Sequence, residues 1–156
     1  MSATNISFKR IQQLAIPAII AGIAEPVLSS TDAAVVGNIP GYGTEALASV
    51  GIVGAFLSAL IWILGQTRSA ISAIISQNLG AGKIEDLKSF PAQAVDFNVI
   101  SSMVVWISTY FFVEEIFSLL NAKGLILDFS IAYYDIRVWG FPLTLFTFAV
   151  FGIFRG

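Results

Sequence analysis

Two carboxylates stand out in an otherwise apolar stretch: Glu25 and Asp32, seven residues apart. On a helix that spacing is close to two turns. Both then project from one face, separated by roughly 10 Å along the axis. Ser29 falls between them on the same face. A carboxylate withdrawn from water holds its proton more tightly unless a cation compensates. Two such groups facing a wet cavity would take up protons, or a small cation such as sodium, and release them when their surroundings change. The alternative is structural, with both acids accepting hydrogen bonds from neighbouring helices. Pro17 and Pro26 lie in the same stretch. Each removes a backbone hydrogen bond and favours a kink. Pro26, beside Glu25 and ahead of Asp32, reads either as a hinge sensitive to the charge on those acids or as a static bend, and Pro17 reads the same way.

A second pair of charges lies further along. Arg68 sits in the inner half of the second apolar stretch, and Asp96 about six residues into the third. On ideal helix rise their depths match within a few ångströms. A structural ion pair is expected, direct or bridged by Asn98. The competing readings of Arg68 are a side chain that snorkels to the inner surface and a contact to substrate. Asp135 and Arg137 occupy the outer part of the fourth stretch. A charge at the centre of a bilayer costs about 2.5–3.5 kcal/mol on insertion scales, so each of these residues requires a reason.

The elements that must position these groups follow from composition. Of 156 residues, 56% are hydrophobic and 12% charged, where a soluble domain carries about 25% charge. Mean hydropathy is +0.84. The charges cluster and leave four apolar stretches, roughly 11–37, 46–77, 90–113 and 129–154. Each exceeds the ~20 residues needed to cross a hydrocarbon core. Lipid offers an open backbone no partner, so each is a helix. The expected fold is an all-α integral membrane protein with about four transmembrane helices. The second stretch, about 31 residues and roughly 46 Å of helix, must tilt, kink or project into water.

Turn residues mark the joints. Asn38-Ile39-Pro40-Gly41-Tyr42-Gly43 breaks the chain after the first helix, and Gly80-Ala81-Gly82 ends the second. Gly80 or Gly82 suits a left-handed C-terminal cap. Pro91 suits the first turn of the third helix. Residues 113–128 read as an interfacial loop with room for a short helix. Small residues at helical spacing (Gly65, Ser69, Ser72 and Ser76; Gly51, Gly54 and Ser58; Ala18 and Gly22) are expected to be helix contact faces. Trp62, Trp106, Phe111, Phe112 and Trp139 are expected toward lipid or an interface.

Lys9, Arg10, Lys83, Lys88 and Arg155 all fall at one side of the alternating topology, and Lys123 at the other. The positive-inside rule then puts the N-terminus and residue 156 in the cytoplasm. The first 30 residues do not read as a cleavable leader, because their apolar run is too long and contains Glu25. Cysteine and histidine are absent, which excludes disulfides, Cys/His zinc sites and Ser-His or Cys-His catalytic pairs. A net charge of −2 provides no basic surface for nucleic acid. An enzyme is not expected, nor any cofactor beyond a proton or sodium as coupling ion.

The order of motifs resembles the multidrug and toxic compound extrusion (MATE) family. Leu14-Ala15-Ile16-Pro17 is followed by Thr31-Asp32-Ala33-Ala34-Val35-Val36-Gly37, the Asp fifteen residues after the Pro. Next come Ala46-Leu47-Ala48-Ser49-Val50-Gly51 and Gln77-Asn78-Leu79-Gly80-Ala81-Gly82. Gly140-Phe141-Pro142 and Phe154-Arg155-Gly156 close the series. Glu25-Pro26 and the position of Arg68 look like the DinF-like branch. The resemblance implies an antiporter of twelve helices in two six-helix lobes, expelling small organic, often cationic, compounds in exchange for protons or sodium. It makes Asp32, with Glu25 less firmly, the coupling carboxylate of the N-terminal lobe, and puts Pro17 and Pro26 in the helix that bends.

By this resemblance residues 1–156 are a partial N-terminal lobe in the cell membrane. Their partners would be the lipid bilayer, the substrate and the transporter's remaining helices, and transport by the chain alone is not expected. A chain that stops directly after a membrane segment agrees with that expectation. Two other readings compete: a lipid-linked precursor flippase of related architecture, whose cavity would carry more cationic residues, and a truncated membrane fragment that does not transport.

Overall fold

The computed structural model describes residues 8–156; the side chains of Lys9, Arg10, Leu14, Pro17, Ala18, Ala21, Gly22, Ala24, Glu25 and Asp86 lie outside the described residues. The described chain is all helix and turn: α1 (Phe8–Gly37), α2 (Gly43–Gly65), α3 (Thr67–Gly80), α4 (Phe90–Phe111), α5 (Val113–Leu119), α6 (Leu125–Arg137) and α7 (Phe141–Arg155), with 3-10 turns at Glu85–Leu87 and Val138–Gly140. Three stretches among the described residues are long and apolar enough to cross a membrane: Gly43–Gly80, Phe90–Phe111 and Leu125–Arg155. The first expected span falls within α1, 30 residues long. The chain forms two compact units, Met1–Leu47 and Ala48–Gly156.

In the first unit α1 runs unbroken past both prolines to Gly37. Neither proline ends it, since helices in a bilayer tolerate a missing backbone bond where neighbours or local adjustments compensate. Its end is closed by a turn in which the Tyr42 N–H donates to the Ile39 carbonyl at 3.3 Å. Gly41 holds φ +79° there. Pro40 ahead of a positive-φ glycine is the sequence of a type II turn. The turn folds back tightly. A Cβ on Gly43 would stand 2.5 Å from the Gly37 carbonyl oxygen, so only glycine fits at 43.

In the second unit the long second stretch breaks at Gly65–Gln66. The Gln66 N–H reaches the Ile63 carbonyl at 3.4 Å, an i to i−3 contact of 3-10 type. Gln66 Nε2 donates to the Trp62 carbonyl. A Cβ on Gly65 would meet the Phe148 ring at 2.7 Å. The break therefore occurs where an α7 aromatic presses on a residue with no side chain. α3 ends as glycine chemistry dictates. Gly82 takes φ +72°, and the Lys83 N–H closes onto the Asn78 carbonyl at 2.9 Å, a Schellman cap. Pro91 stands in the first turn of α4, where its missing N–H costs nothing.

α7 packs between α3 and α4. Leu145, Ala149 and Gly152 line its buried stripe. A Cβ on Gly152 would meet the Arg68 carbonyl oxygen at 2.8 Å, and one on Gly156 the Ser72 carbonyl oxygen at 2.7 Å. Gly152-Ile153-Phe154-Arg155-Gly156 is thus a working small-xxx-small contact, which lets two backbones approach. Ile71, Ile75, Ala94 and Ala149 form the core at this level. On α3 the expected stripe is realised only at Gly65 and Ser72, because Ser69 and Ser76 are exposed. On α2 the buried positions are Ala46, Ser49, Val53 and Leu57, while Gly54 is half-buried with open space beside it and Gly51 and Ser58 are exposed. The contact face of α2 is therefore the apolar one, and the expected glycine face is not used.

A second core joins Val53 and Leu57 of α2 to Phe117, Ala122, Tyr134 and Val138. Phe117 and Tyr134 meet edge to face with centroids 5.6 Å apart, and Phe56 lies 5.7 Å from Phe117. The Tyr134 hydroxyl donates to Thr109 Oγ1. Thr109 in turn donates to the Val105 carbonyl at 2.8 Å, so both hydroxyls are satisfied. Ser49 and Ser130 both donate to the Ile126 carbonyl, at 2.9 and 2.7 Å. Trp106 is half-buried against this core and stacks on Trp139 at 4.8 Å, so it does not lie fully at the lipid face.

The region expected to be loop is more ordered than its composition predicts. α5 occupies 113–119 and ends on Asn121, which has φ +66°, with the Ala122 N–H returning to the Phe117 carbonyl at 3.0 Å. α6 begins at Leu125, four residues before the expected start, with Asp128 in its first turn, where a carboxylate favours the helix N-terminus. The fourth stretch is two helices, not one. Pro142 in the first turn of α7 cannot donate to residue 138, and the chain turns 3-10 over Val138–Gly140.

Candidate ion-coupling site

Near the end of α1 the backbone sorts residues by face. Pro26 through Thr31 are exposed, and Asp32, Ala33 and Val36 are half-buried. Asp32 therefore lies on the sheltered strip of the helix. Pro26 is about 9 Å back along the axis from it. Ser29, expected to sit beside the acids, is exposed. Glu25 and Pro17 fall among the residues whose side chains lie outside the described residues, so their part of the expected site has no geometry to report.

An open hollow of about 750 Å³ runs along the neighbouring face of α1, bordered by Pro26, Val27, Ser30, Thr31, Ala34, Val35 and Asn38. Two of its polar groups are turned to the helix itself. Thr31 Oγ1 donates to the Val27 carbonyl at 2.8 Å, and Asn38 Nδ2 to the Ala34 carbonyl at 2.7 Å. Asp32 follows Thr31 by one residue, about 100° around the helix, and does not border this hollow.

The structure does not bring Arg68 and Asp96 into an ion pair. Lys88 instead pairs with Glu85 at 2.6 Å, both exposed. The Arg68 guanidinium instead lies 5.2 Å from the centre of the Phe148 ring, a cation–π contact. Its Nε is buried with no hydrogen-bond partner. Asp96 is exposed on α4. A match in depth is not enough, because azimuth decides. Asp96 precedes Asn98 by two residues, about 200° around the helix, and Asn98 faces α3. Asn98 is 1% exposed. Its Oδ1 is 2.7 Å from the Thr67 hydroxyl and its Nδ2 donates to the Ala94 carbonyl at 2.8 Å. Asn98 therefore does not bridge Arg68 to Asp96 as expected; it joins Thr67 of α3 to α4.

Arg137 Nη1 donates to the Tyr133 hydroxyl at 2.7 Å and lies over the same ring at 5.6 Å. Arg68 and Arg137 thus rest on aromatic faces, a use not expected of Phe148 or Tyr133. For Arg137 the signal was the i, i+4 spacing from Tyr133; for Arg68 and Phe148, 80 residues apart in the sequence, there was none. No group of three or more potential metal-ligating side chains occurs among the described residues.

Comparison with known proteins gives one family. The MatE family model matches residues 17–156. No curated protein matches the chain, and no solved structure does.

Proposed function

This chain belongs to the MatE family, a family of membrane transporters rather than enzymes, and on that premise we propose that it serves a secondary antiporter exporting organic, often cationic, compounds in exchange for protons or sodium. Asp32 is the coupling group. It binds a proton or sodium when its side of the membrane is open. Losing its charge removes the cost of holding a carboxylate on a sheltered strip of helix. α1 then responds at Pro26, where a backbone bond is missing, and the cavity changes the side it faces. Glu25 shares the charge, Pro17 is a lesser hinge, and the resemblance at Glu25-Pro26 and Arg68 supports the DinF-like branch.

The observation that carries this reading is the half-buried position of Asp32 on a helix within the matched span. The alternating sides of the basic residues support a cytoplasmic N-terminus in the cell membrane. Gly156 abuts Ser72 and Ile75, so Arg155 lies at the end of the second unit that also holds Lys83 and Lys88. The cavity is completed by further helices of the transporter, and the bilayer and the organic substrate are the other partners.

The test is efflux of a fluorescent organic cation from membranes carrying the complete transporter that contains residues 1–156, under separately imposed proton and sodium gradients. One of the two gradients drives efflux in the wild type, and Asp32→Asn lowers it to the level of membranes without the protein. Gradient-driven efflux of wild-type rate from Asp32→Asn defeats the assignment.

A further inference from the structure

The second unit is built on two separate cores. One joins α2 to α5 and α6 through Val53, Leu57, Phe117 and Tyr134. The other joins α3, α4 and α7 through Ile71, Ile75, Ala94 and Ala149. Two of the three connections between the cores are interrupted: α2 gives way to α3 at Gly65–Gln66, and α6 to α7 over Val138–Gly140. α4 passes unbroken, but the side chains it buries between the cores are polar. Asn98 Nδ2 donates to the Ala94 carbonyl at 2.8 Å and Ser102 Oγ to the Val99 carbonyl at 2.7 Å. Such bonds from a side chain to its own helix soften and bend the helix.

The break at Gly65–Gln66 is finished by side chains. A helix that ends inside a bilayer leaves carbonyls that lipid cannot satisfy. Gln66 Nε2 donates to the Trp62 carbonyl at 3.0 Å, and Thr67 Oγ1 to the Leu64 carbonyl at 2.8 Å. The joint therefore carries its own donors. Thr67 Oγ1 also lies 2.7 Å from Asn98 Oδ1. A hydroxyl has one proton to give, so it ties α3 to α2 or to α4, not to both at once. Phe148 stands against the same joint. Its ring lies 2.7 Å from where a Cβ on residue 65 would be, and its centre 5.2 Å from the Arg68 guanidinium. The ring occupies the space that a continuous helix with an ordinary side chain at 65 would need.

We propose that Gly65–Gln66 is a hinge, at which the block of α2, α5 and α6 tilts against the block of α3, α4 and α7, with Val138–Gly140 as the second joint. Phe148 is the pivot that keeps the joint from closing into one helix. The Thr67 proton is the latch: it sits on the Leu64 carbonyl in one arrangement and on Asn98 Oδ1 in the other. From Gly65 to Gly51 the lever is about 21 Å long, so a tilt of about 10° moves Gly51 by about 4 Å. The device lies within residues 48–156, and it depends neither on the coupling role of Asp32 nor on what covers the outer faces of these helices.

The test measures distances between pairs of spin labels on introduced cysteines, in the complete transporter that contains residues 1–156, with any cysteines elsewhere replaced, in lipid nanodiscs. Gly51 with Phe97 and Gly51 with Phe151 span the hinge, and Phe97 with Phe151 stays within one block; all three positions are exposed. The spanning pairs should give two distance populations and the pair within the block one. Gly65→Ala combined with Phe148→Ala removes the pivot and puts a helix-forming residue at the joint, and the two populations should merge. Thr67→Val keeps the shape and removes the shared proton. It should change the ratio of the populations about threefold, the weight of one average hydrogen bond between membrane helices. A change in either variant supports the hinge at this joint. A single distance in both spanning pairs of the wild type, no wider than that within the block, overturns the proposal. So do two populations that neither variant alters.

Discussion

Gly152 lies against Arg68 so closely that a Cβ on the glycine would stand 2.8 Å from the arginine's carbonyl oxygen and 3.0 Å from Ile71 Cβ. The neighbouring atoms are backbone and a β-branched stem, and neither moves cheaply. Gly152→Val is expected to force α7 from α3 and to destabilise the protein by about 1–3 kcal/mol, the usual range for overpacking a filled site. Gly51→Val, at an exposed position with nothing within 4 Å, is the control and should change stability little. Thermal or denaturant unfolding in detergent measures both. A Gly152→Val protein as stable as wild type would mean that the helices do not approach in this way.

Thr67 and Asn98 hold α3 to α4 at the break between α2 and α3. The Thr67 hydroxyl has one proton and two acceptors in reach, the Leu64 carbonyl at 2.8 Å and Asn98 Oδ1 at 2.7 Å. Removal therefore exposes at least one acceptor to an apolar setting. Hydrogen bonds between membrane helices are worth about 0.6 kcal/mol on average and up to about 1.7. Thr67→Val keeps the shape and should cost within that range. Asn98→Ala also leaves a hole beside Ala94 and should cost more. Comparison of the two single variants with the double variant by unfolding isolates the pair, and a coupling indistinguishable from zero would show the contact to be incidental.

The parts of the fold that were legible in the sequence are those set by local chemistry. Gly82 and Pro91 end α3 and open α4 because a positive φ and a missing N–H are properties of single residues. The lipid argument made every apolar stretch helical without reference to neighbours. What was not legible depends on partners far along the chain. The long second stretch was expected to bend or tilt, but the site of its break is set by Phe148 pressing on Gly65, 83 residues apart in sequence. The start of α6 at Leu125 was missed because Asp128 reads as a loop residue by hydropathy, whereas at a helix N-terminus its charge is favoured. Arg68 and Asp96 were matched in depth from rise alone. Two apolar helices expose no sequence signal for azimuth when glycine faces and isoleucine faces compete, so the pairing was misjudged. For the candidate site, the acid on the first helix was legible as a type of residue in the wrong solvent, and its half-buried face was not.

Pro26 has a testable consequence that separates a hinge from a bend. A proline inside a helix disfavours that helix by about 3 kcal/mol relative to alanine, partly through the bond its nitrogen cannot make. Pro26→Ala should therefore stabilise α1. Hydrogen exchange of the backbone near residue 26 should slow by an order of magnitude or more, since about 1.4 kcal/mol corresponds to tenfold. If α1 bends during transport, the same variant should slow gradient-driven efflux while insertion and stability are kept. Slower exchange with undiminished efflux would assign Pro26 a static role.

Sidedness can be read directly, because the chain contains no cysteine. Lys83 follows the Schellman cap of α3, and Lys123 lies between α5 and α6 just ahead of Gly124, where φ is +57°. Both are exposed. α4 alone separates the two connections, and its 22 residues, about 33 Å at 1.5 Å each, match one crossing of a hydrocarbon core of about 30 Å. The two positions must then lie on opposite sides of the membrane. Lys83→Cys and Lys123→Cys, each the sole thiol within residues 1–156, should show opposite labelling by an impermeant maleimide added outside intact cells. Position 123 should react at once, and position 83 only after the membrane is opened. The reverse order would keep the fold and invert the orientation, because the positive-inside bias is a preference of insertion and not of packing. Equal labelling of both from outside would remove α4 from the membrane.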